Sequence, residues 1–253
     1  IRFKKPLARI LIGFQWLFKS DNLNFNCVIF FILSSFALKF KVSDLKSYWK
    51  PIGILASIAL VLCAVFFGVA LYGYQILIGH HVDLLVLLLL GAALGATDPI
   101  GIKGVLSSVR APHHLMVKLE GESLFNDAMC IALFMTLLNV LQGGDFTILG
   151  VLQTLLYEIV VAVIIGWAFG LAILRILRGK HEMESLILTT ALLACGSYLV
   201  ALFAHASAPI ACVIGGLIVG NKWKEILQER EIREVNHFWH TVEGIINSFL
   251  FTL

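Results

Sequence analysis

The sequence predicts an all-α membrane protein, a polytopic helix bundle in which one span is broken. Three observations carry that prediction. Hydrophobic residues are 59% of the 253 residues and charged ones 14%, with a mean hydropathy of +0.92, so apolar area exceeds what a soluble domain of this length could cover. Apolar runs of the roughly 17–25 residues needed to cross a hydrocarbon core recur along the chain. One of those runs is interrupted at mid-length by Thr97-Asp98-Pro99, set among glycines.

Taken in order, residues 1–22 are basic and amphipathic, either the stub of an earlier span or an interfacial helix. Expected spans follow at 23–38 (short), 51–78, 83–108, 115–141, 147–177, 186–204 and 208–221 (short), with a last one from about 239. Together they form one transmembrane domain over 1–253. Because the chain starts at Ile1 and stops inside "IINSFLFTL", it reads as a fragment.

Charge gives an independent check on the spans, because basic residues stay on the cytoplasmic side. Alternate connections carry Lys39, Lys41, Lys46 and Lys50, then Arg110 and Lys118, then Arg175, Arg178 and Lys180, then Lys222, Lys224, Arg230 and Arg233. The intervening "GHHVD" (79–83), "QGGDF" (142–146) and "AHAS" (204–207) contain no Lys or Arg. This pattern predicts a multi-pass protein of the cell membrane, plasma or inner, with loop 39–50 in the cytoplasm; Lys19 is the exception. The stretch 222–239 is expected to be an amphipathic, solvated surface connector.

Composition excludes other classes. The net charge of +3 comes with no basic cluster suited to nucleic acid, and no soluble partner is indicated. Cys27, Cys63, Cys130, Cys195 and Cys212 lie singly in apolar stretches without metal-site spacing and read as packing residues. His80, His81, His113 and His114 read as interfacial loop residues, and His205 near Ser207 is not taken as a nucleophile pair. Glu158 inside its span, facing a bundle interior or nearing the far interface, carries no assigned function, and Asn247 near the end is open between a packing and a substrate-path role.

Two polar interruptions remain. On a helix counted from Glu122, the residues Glu122, Asn126, Ser123, Asp127 and Glu120 fall at about 0°, 40°, 100°, 140° and 160°, with apolar residues on the other half. Glu122 with Asn126, and Ser123 with Asp127, stack on neighbouring turns. Solvation at the helix start could explain Glu120, but Asp127 lies deeper, where a charge costs about 3 kcal/mol on insertion scales. In the preceding span Pro99 has no N–H to donate, so the Gly95 carbonyl loses its helical partner and the helix should break near Thr97–Pro99. Broken backbone at membrane depth is tolerated where it is buried or lines a cavity.

Asp98 and Asp127, hydroxyls and bare carbonyls form an all-oxygen set suited to a hard monovalent cation such as Na⁺ or Li⁺. Two carboxylates in a poorly hydrated cavity disfavour full ionisation without a cation, so proton and cation compete for the same acid. That competition is the minimum chemistry of an exchanger.

"ATDP" in one span and "GESLFND" in the next resemble the electroneutral branch of the monovalent cation/proton antiporters, the sodium/proton exchanger family. "ASAPIACVIGGLIVGN" and "FWHTVEGIINSFLF" are similar to later segments of that family, so the resemblance covers roughly 25–253. It implies that Asp127 is the principal cation- or proton-binding acid, with Asp98, Ser123 and the Thr97 carbonyl as co-ligands of the transported Na⁺. Glu122 would act near the site through water or an ion pair, and Asn126, standing where electrogenic relatives carry Asp, implies one-for-one exchange. It further implies an inverted-repeat antiporter fold of about a dozen spans, of which this is one part, a homodimer in the bilayer, and no cofactor beyond the transported ions. Ala208 after Ser207 departs from the family's Ser-Gly, and the second broken helix and a basic partner for Glu122 are expected elsewhere. Two other readings compete: an intramembrane aspartyl protease using Asp98 and Asp127 as a dyad, and a cation channel. The Asp-Pro break favours ion coordination over the first, and a single deep two-acid site argues against fast conduction.

Overall fold

The computed structural model describes residues 33–35, 37–79, 82–97, 112–143, 147–179 and 182–252. All the elements among them are helical. Residues 33–35 and 37–39 are helical and precede α1 (Val42–Ser47). Then come α2 (Trp49–Leu77), α3 (Leu84–Leu94), α4 (His113–Leu141), α5 (Ile148–Ile176), α6 (Met183–Phe203), α7 (Ala208–Lys222) and α8 (Glu229–Thr252). A π turn at Leu55–Ala59 interrupts α2, and a 3₁₀ turn at Trp223–Glu225 joins α7 to α8.

Four of the helices, α2, α4, α5 and α6, are long and apolar enough to cross a membrane. Their outer faces are oily: Leu62, Phe66 and Leu77 on α2 and Ile148, Leu156 and Trp167 on α5 are exposed, as expected where a hydrocarbon environment replaces water.

Small residues let the backbones approach, the usual packing device of membrane helices. Helix α7 is buried along most of its length, with Ala211, Cys212, Val213 and Val219 fully shielded. Gly166 of α5 lies so close to the Ala211 carbonyl that a Cβ there would collide with it, and Gly220 of α7 stands equally close to the carbonyl of Leu38. On the other side of the bundle, Gly91 of α3 abuts the Ala64 backbone of α2. The α2–α3 connection is closed by Gln75, whose amide donates to the Val82 carbonyl at 2.8 Å and accepts from the Val82 N–H at 2.7 Å.

The segment 222–239 differs from a solvated connector. Its charged face is exposed, but Trp223, Val235 and Trp239 are buried at 1%, 0% and 6% exposure in a cluster with Leu38, Ile173, Leu177 and Leu186. The Trp239 indole N–H donates to Thr190 Oγ1 at 3.0 Å. Amphipathy alone does not distinguish an apolar face resting on a surface from one packed against protein, and here two tryptophans make the second arrangement. Further along α8, Glu243 meets Lys39 at 2.9 Å and accepts from Ser35 Oγ at 2.5 Å, fastening the last described helix to the first.

Cys130 and Cys212 are buried, Cys195 partly so, and Cys63 is exposed on α2. Among the described residues no cluster of three or more His, Cys, Asp or Glu could hold a metal ion. The expectations for residues 1–32, for Cys27, His80 and His81, for Asp98, Pro99 and Arg110, and for the side chains of His113 and Asn247 lie outside the described residues.

Candidate ion site

Helix α3 stops at Leu94, with Gly95 turning out of the helix and residues 96 and 97 in irregular backbone. Its last carbonyls therefore need other partners. They find them on the polar face of α4, which passes alongside.

Ser123 Oγ donates to the Thr97 carbonyl at 2.6 Å. The Asn126 amide nitrogen donates to the Gly95 carbonyl at 3.1 Å, to Thr97 Oγ1 at 3.0 Å and to Glu122 Oε1 at 3.0 Å. Thr97 Oγ1 in turn donates to the Glu122 carboxylate at 3.3 and 3.4 Å. One turn further on, the Cys130 thiol donates to the Ala92 carbonyl at 2.9 Å. Ser123 and Asn126 are buried at 1% and 3% exposure, while Glu122, Asp127 and Thr97 are half-buried. Asn126 Oδ1 is a buried acceptor without a partner among the described residues.

The structure thus brings Thr97, Glu122, Ser123 and Asn126 into one network and sets Asp127 on the same polar half of α4. Asp98 follows Thr97 directly in the chain and, with Pro99, lies outside the described residues. Asn126 holds a position that helical geometry only hinted at: its i,i+4 relation to Glu122 was visible, its bridge to the end of α3 was not. Cys130 likewise does more than fill space, because its thiol satisfies a carbonyl of the last helical turn of α3. Glu122 meets neutral donors among the described residues.

The end of α3 is thus stitched to the polar face of a long helix inside an apolar bundle. The solved structure of the sodium proton antiporter MjNhaP1 from Methanocaldococcus jannaschii shares this fold, with a TM-score of 0.71 at 22% identity, covering 88% of this chain and 54% of that one. The sequence profile of the family "Sodium/hydrogen exchanger, transmembrane" matches residues 11–253, and the chain belongs to that family, whose members are integral, multi-pass membrane proteins. Among individual relatives, the Na⁺/H⁺ antiporter NhaP of Pseudomonas aeruginosa is 37% identical over 226 residues, covering 88% of this chain and 53% of NhaP. The low-affinity Na⁺/H⁺ antiporter NhaS1 of Synechocystis is 31% identical over 218 residues, covering 83% of this chain and 39% of NhaS1. The chain therefore spans about half the length of NhaP and less of NhaS1.

Proposed function

We propose that the complete protein is a secondary active transporter that exchanges a monovalent cation for a proton, one for one, in the cell membrane. Na⁺ is the leading cation, with K⁺ and Li⁺ as alternatives. The observation that carries this reading is the stitched break: Ser123 and Asn126 hold the unwound end of α3 against α4 beside Asp127. Irregular backbone at membrane depth leaves carbonyl oxygens that can replace part of an ion's hydration shell. Hard oxygen donors from Asp127, Asp98, Ser123 and the Thr97 carbonyl would surround the transported ion.

Exchange follows from competition. When the cation arrives it compensates the carboxylate charge and the proton leaves; when the cation departs, a proton takes its place, because a bare charge at that depth is costly. Glu122 supports the site through Thr97 and Asn126. Asn126 is neutral, so it adds no third titrating acid beside Asp98 and Asp127, which fits electroneutral exchange. A homodimer, with loop 39–50 in the cytoplasm, completes the reading. The protease and channel alternatives gain no support from relatives named as antiporters.

The full-length protein in liposomes is expected to dissipate an imposed ΔpH when Na⁺, Li⁺ or K⁺ is added, and Asp127→Asn to abolish this. Cation-driven proton flux that persists in Asp127→Asn would sink the mechanism. With the membrane potential clamped by valinomycin, a rate that follows voltage would contradict one-for-one exchange.

A further inference from the structure

A second group of polar residues lies away from the stitched break. Between α4, α5, α6 and the start of α7 there is a cavity of about 390 Å³. Ile131, Met135 and Asn139 of α4 line it; at i+4, i+8 and i+12 from Asp127 they form a row that winds about 40° per step away from the Asp127 face. At 1.5 Å per residue these positions lie about 6 to 18 Å beyond Asp127. The cavity therefore begins one turn from the principal acid and runs toward the 142–147 end of the helix.

Its wall carries an acid that the ion site does not use. Glu158 is only 8% exposed although it sits in the middle of an apolar span. Its carboxylate receives one long hydrogen bond, from Thr136 Oγ1 at 3.4 Å. The Ser207 N–H donates to the Glu158 backbone carbonyl at 3.2 Å, which seats Ser207 beside it. Ser207 occupies the N-cap position of α7 yet makes no side-chain cap; the residue lines the cavity, 5% exposed, and its buried hydroxyl is without a partner among the described residues. Buried hydroxyls are rarely left unpaired, and such an orphan points to a guest. Among the described residues no Lys or Arg lines the cavity, and His205 is the one basic side chain in its wall.

We infer that this cavity is a second binding site for a monovalent cation, held by the Glu158 carboxylate, which Thr136 braces from outside the cavity, together with Ser207, on the route between Asp127 and the membrane face opposite the basic loops. The donors are again all oxygen, which suits a hard ion. At about 30 Å³ per water, the space admits on the order of ten waters, so an ion can enter hydrated and exchange part of its shell for Glu158. The cation offsets the cost of the carboxylate at that depth, and the single acid keeps the hold weak enough to pass the ion on. The position on a transport route rests on the antiporter reading; the binding site itself does not.

The test is equilibrium ²²Na⁺ binding to the purified full-length protein as wild type, Asp127→Asn, Glu158→Gln and the double variant. Asp127→Asn is expected to retain Na⁺ binding, and the double variant to lose it. In liposomes, Glu158→Gln is expected to raise the KM for Na⁺ supplied from the cavity side roughly tenfold, the weight of one charge-assisted contact. Equal binding by Asp127→Asn and the double variant would overturn the inference. Undiminished antiport in Asp127→Asn, with binding still lost in the double variant, would sink the antiporter mechanism and leave the second site standing. If Glu158→Gln does not fold, Thr136→Val with Ser207→Ala carries the same comparison, with severalfold weaker binding expected and unchanged binding refuting the site.

Discussion

Replacing Asn126 by Ala tests whether its amide is the stitch between α3 and α4. The amide nitrogen has two hydrogens shared among three acceptors, Gly95 O, Thr97 Oγ1 and Glu122 Oε1, so the contacts amount to about two full hydrogen bonds. At about 1 kcal/mol net each, their loss costs about 2 kcal/mol, and leaving the carbonyl of the half-buried Gly95 unpaired adds up to about another 1 kcal/mol. A destabilisation of about 2–3 kcal/mol is therefore expected, seen as a drop of several degrees in the thermal unfolding midpoint of the detergent-solubilised full-length protein. The double variant with Ser123→Ala discriminates further. Both side chains anchor the same three-residue segment, so their effects should be less than additive, with a coupling of about 1 kcal/mol. An unfolding midpoint matching wild type in Asn126→Ala, or strict additivity with Ser123→Ala, would refute the claim that these residues hold the broken helix in place.

Other consequences can be checked more briefly. Gly166→Ala forces a methyl into the Ala211 carbonyl and should cost about 1–3 kcal/mol by overpacking; a neutral effect on unfolding would mean α5 and α7 can separate freely. Trp239→Phe keeps the aromatic bulk but leaves Thr190 without its indole donor, so a loss of about 1 kcal/mol is expected, against none if α8 merely lies on the surface. Lys39→Glu should loosen the contact with Glu243 and Glu243→Lys should restore it, measured as protease sensitivity of the 33–39 and α8 segments; failure of the swap to rescue would show that the pair is incidental.

How much of this was legible in sequence depends on range. The polar face of α4 follows from helical periodicity alone, since Glu122, Asn126, Ser123 and Asp127 sit within one and a half turns. The proline's missing donor placed a break near Thr97–Pro99; α3 ends at Leu94, three residues before Thr97, and Pro99 itself lies outside the described residues. What periodicity cannot supply is the partner across space. That Asn126 reaches Gly95 and Thr97, about thirty residues away in the chain, depends on the relative height of two helices, which contacts between them such as Cys130 with the Ala92 carbonyl fix. The burial of Trp223 and Trp239 escaped for the opposite reason, because an amphipathic pattern records that one face is apolar and leaves its neighbour unspecified. Glu158 was visible as an anomaly, and only the fold shows that Thr136 and Ser207 stand beside it.

The brevity of α3 bears on how the protein reaches its membrane. Eleven residues rise about 16 Å, roughly half a hydrocarbon core, so α3 by itself does not reach across one. It is paired with α2 as a hairpin, with Gln75 and Val82 closing the bend and the Gly91–Ala64 contact holding the arms together, so the pair is expected to enter the membrane as one unit. A bulky residue at Gly91 is then expected to act at biogenesis by parting the two arms, with a shift in the glycosylation-mapped topology of nascent chains as its signature.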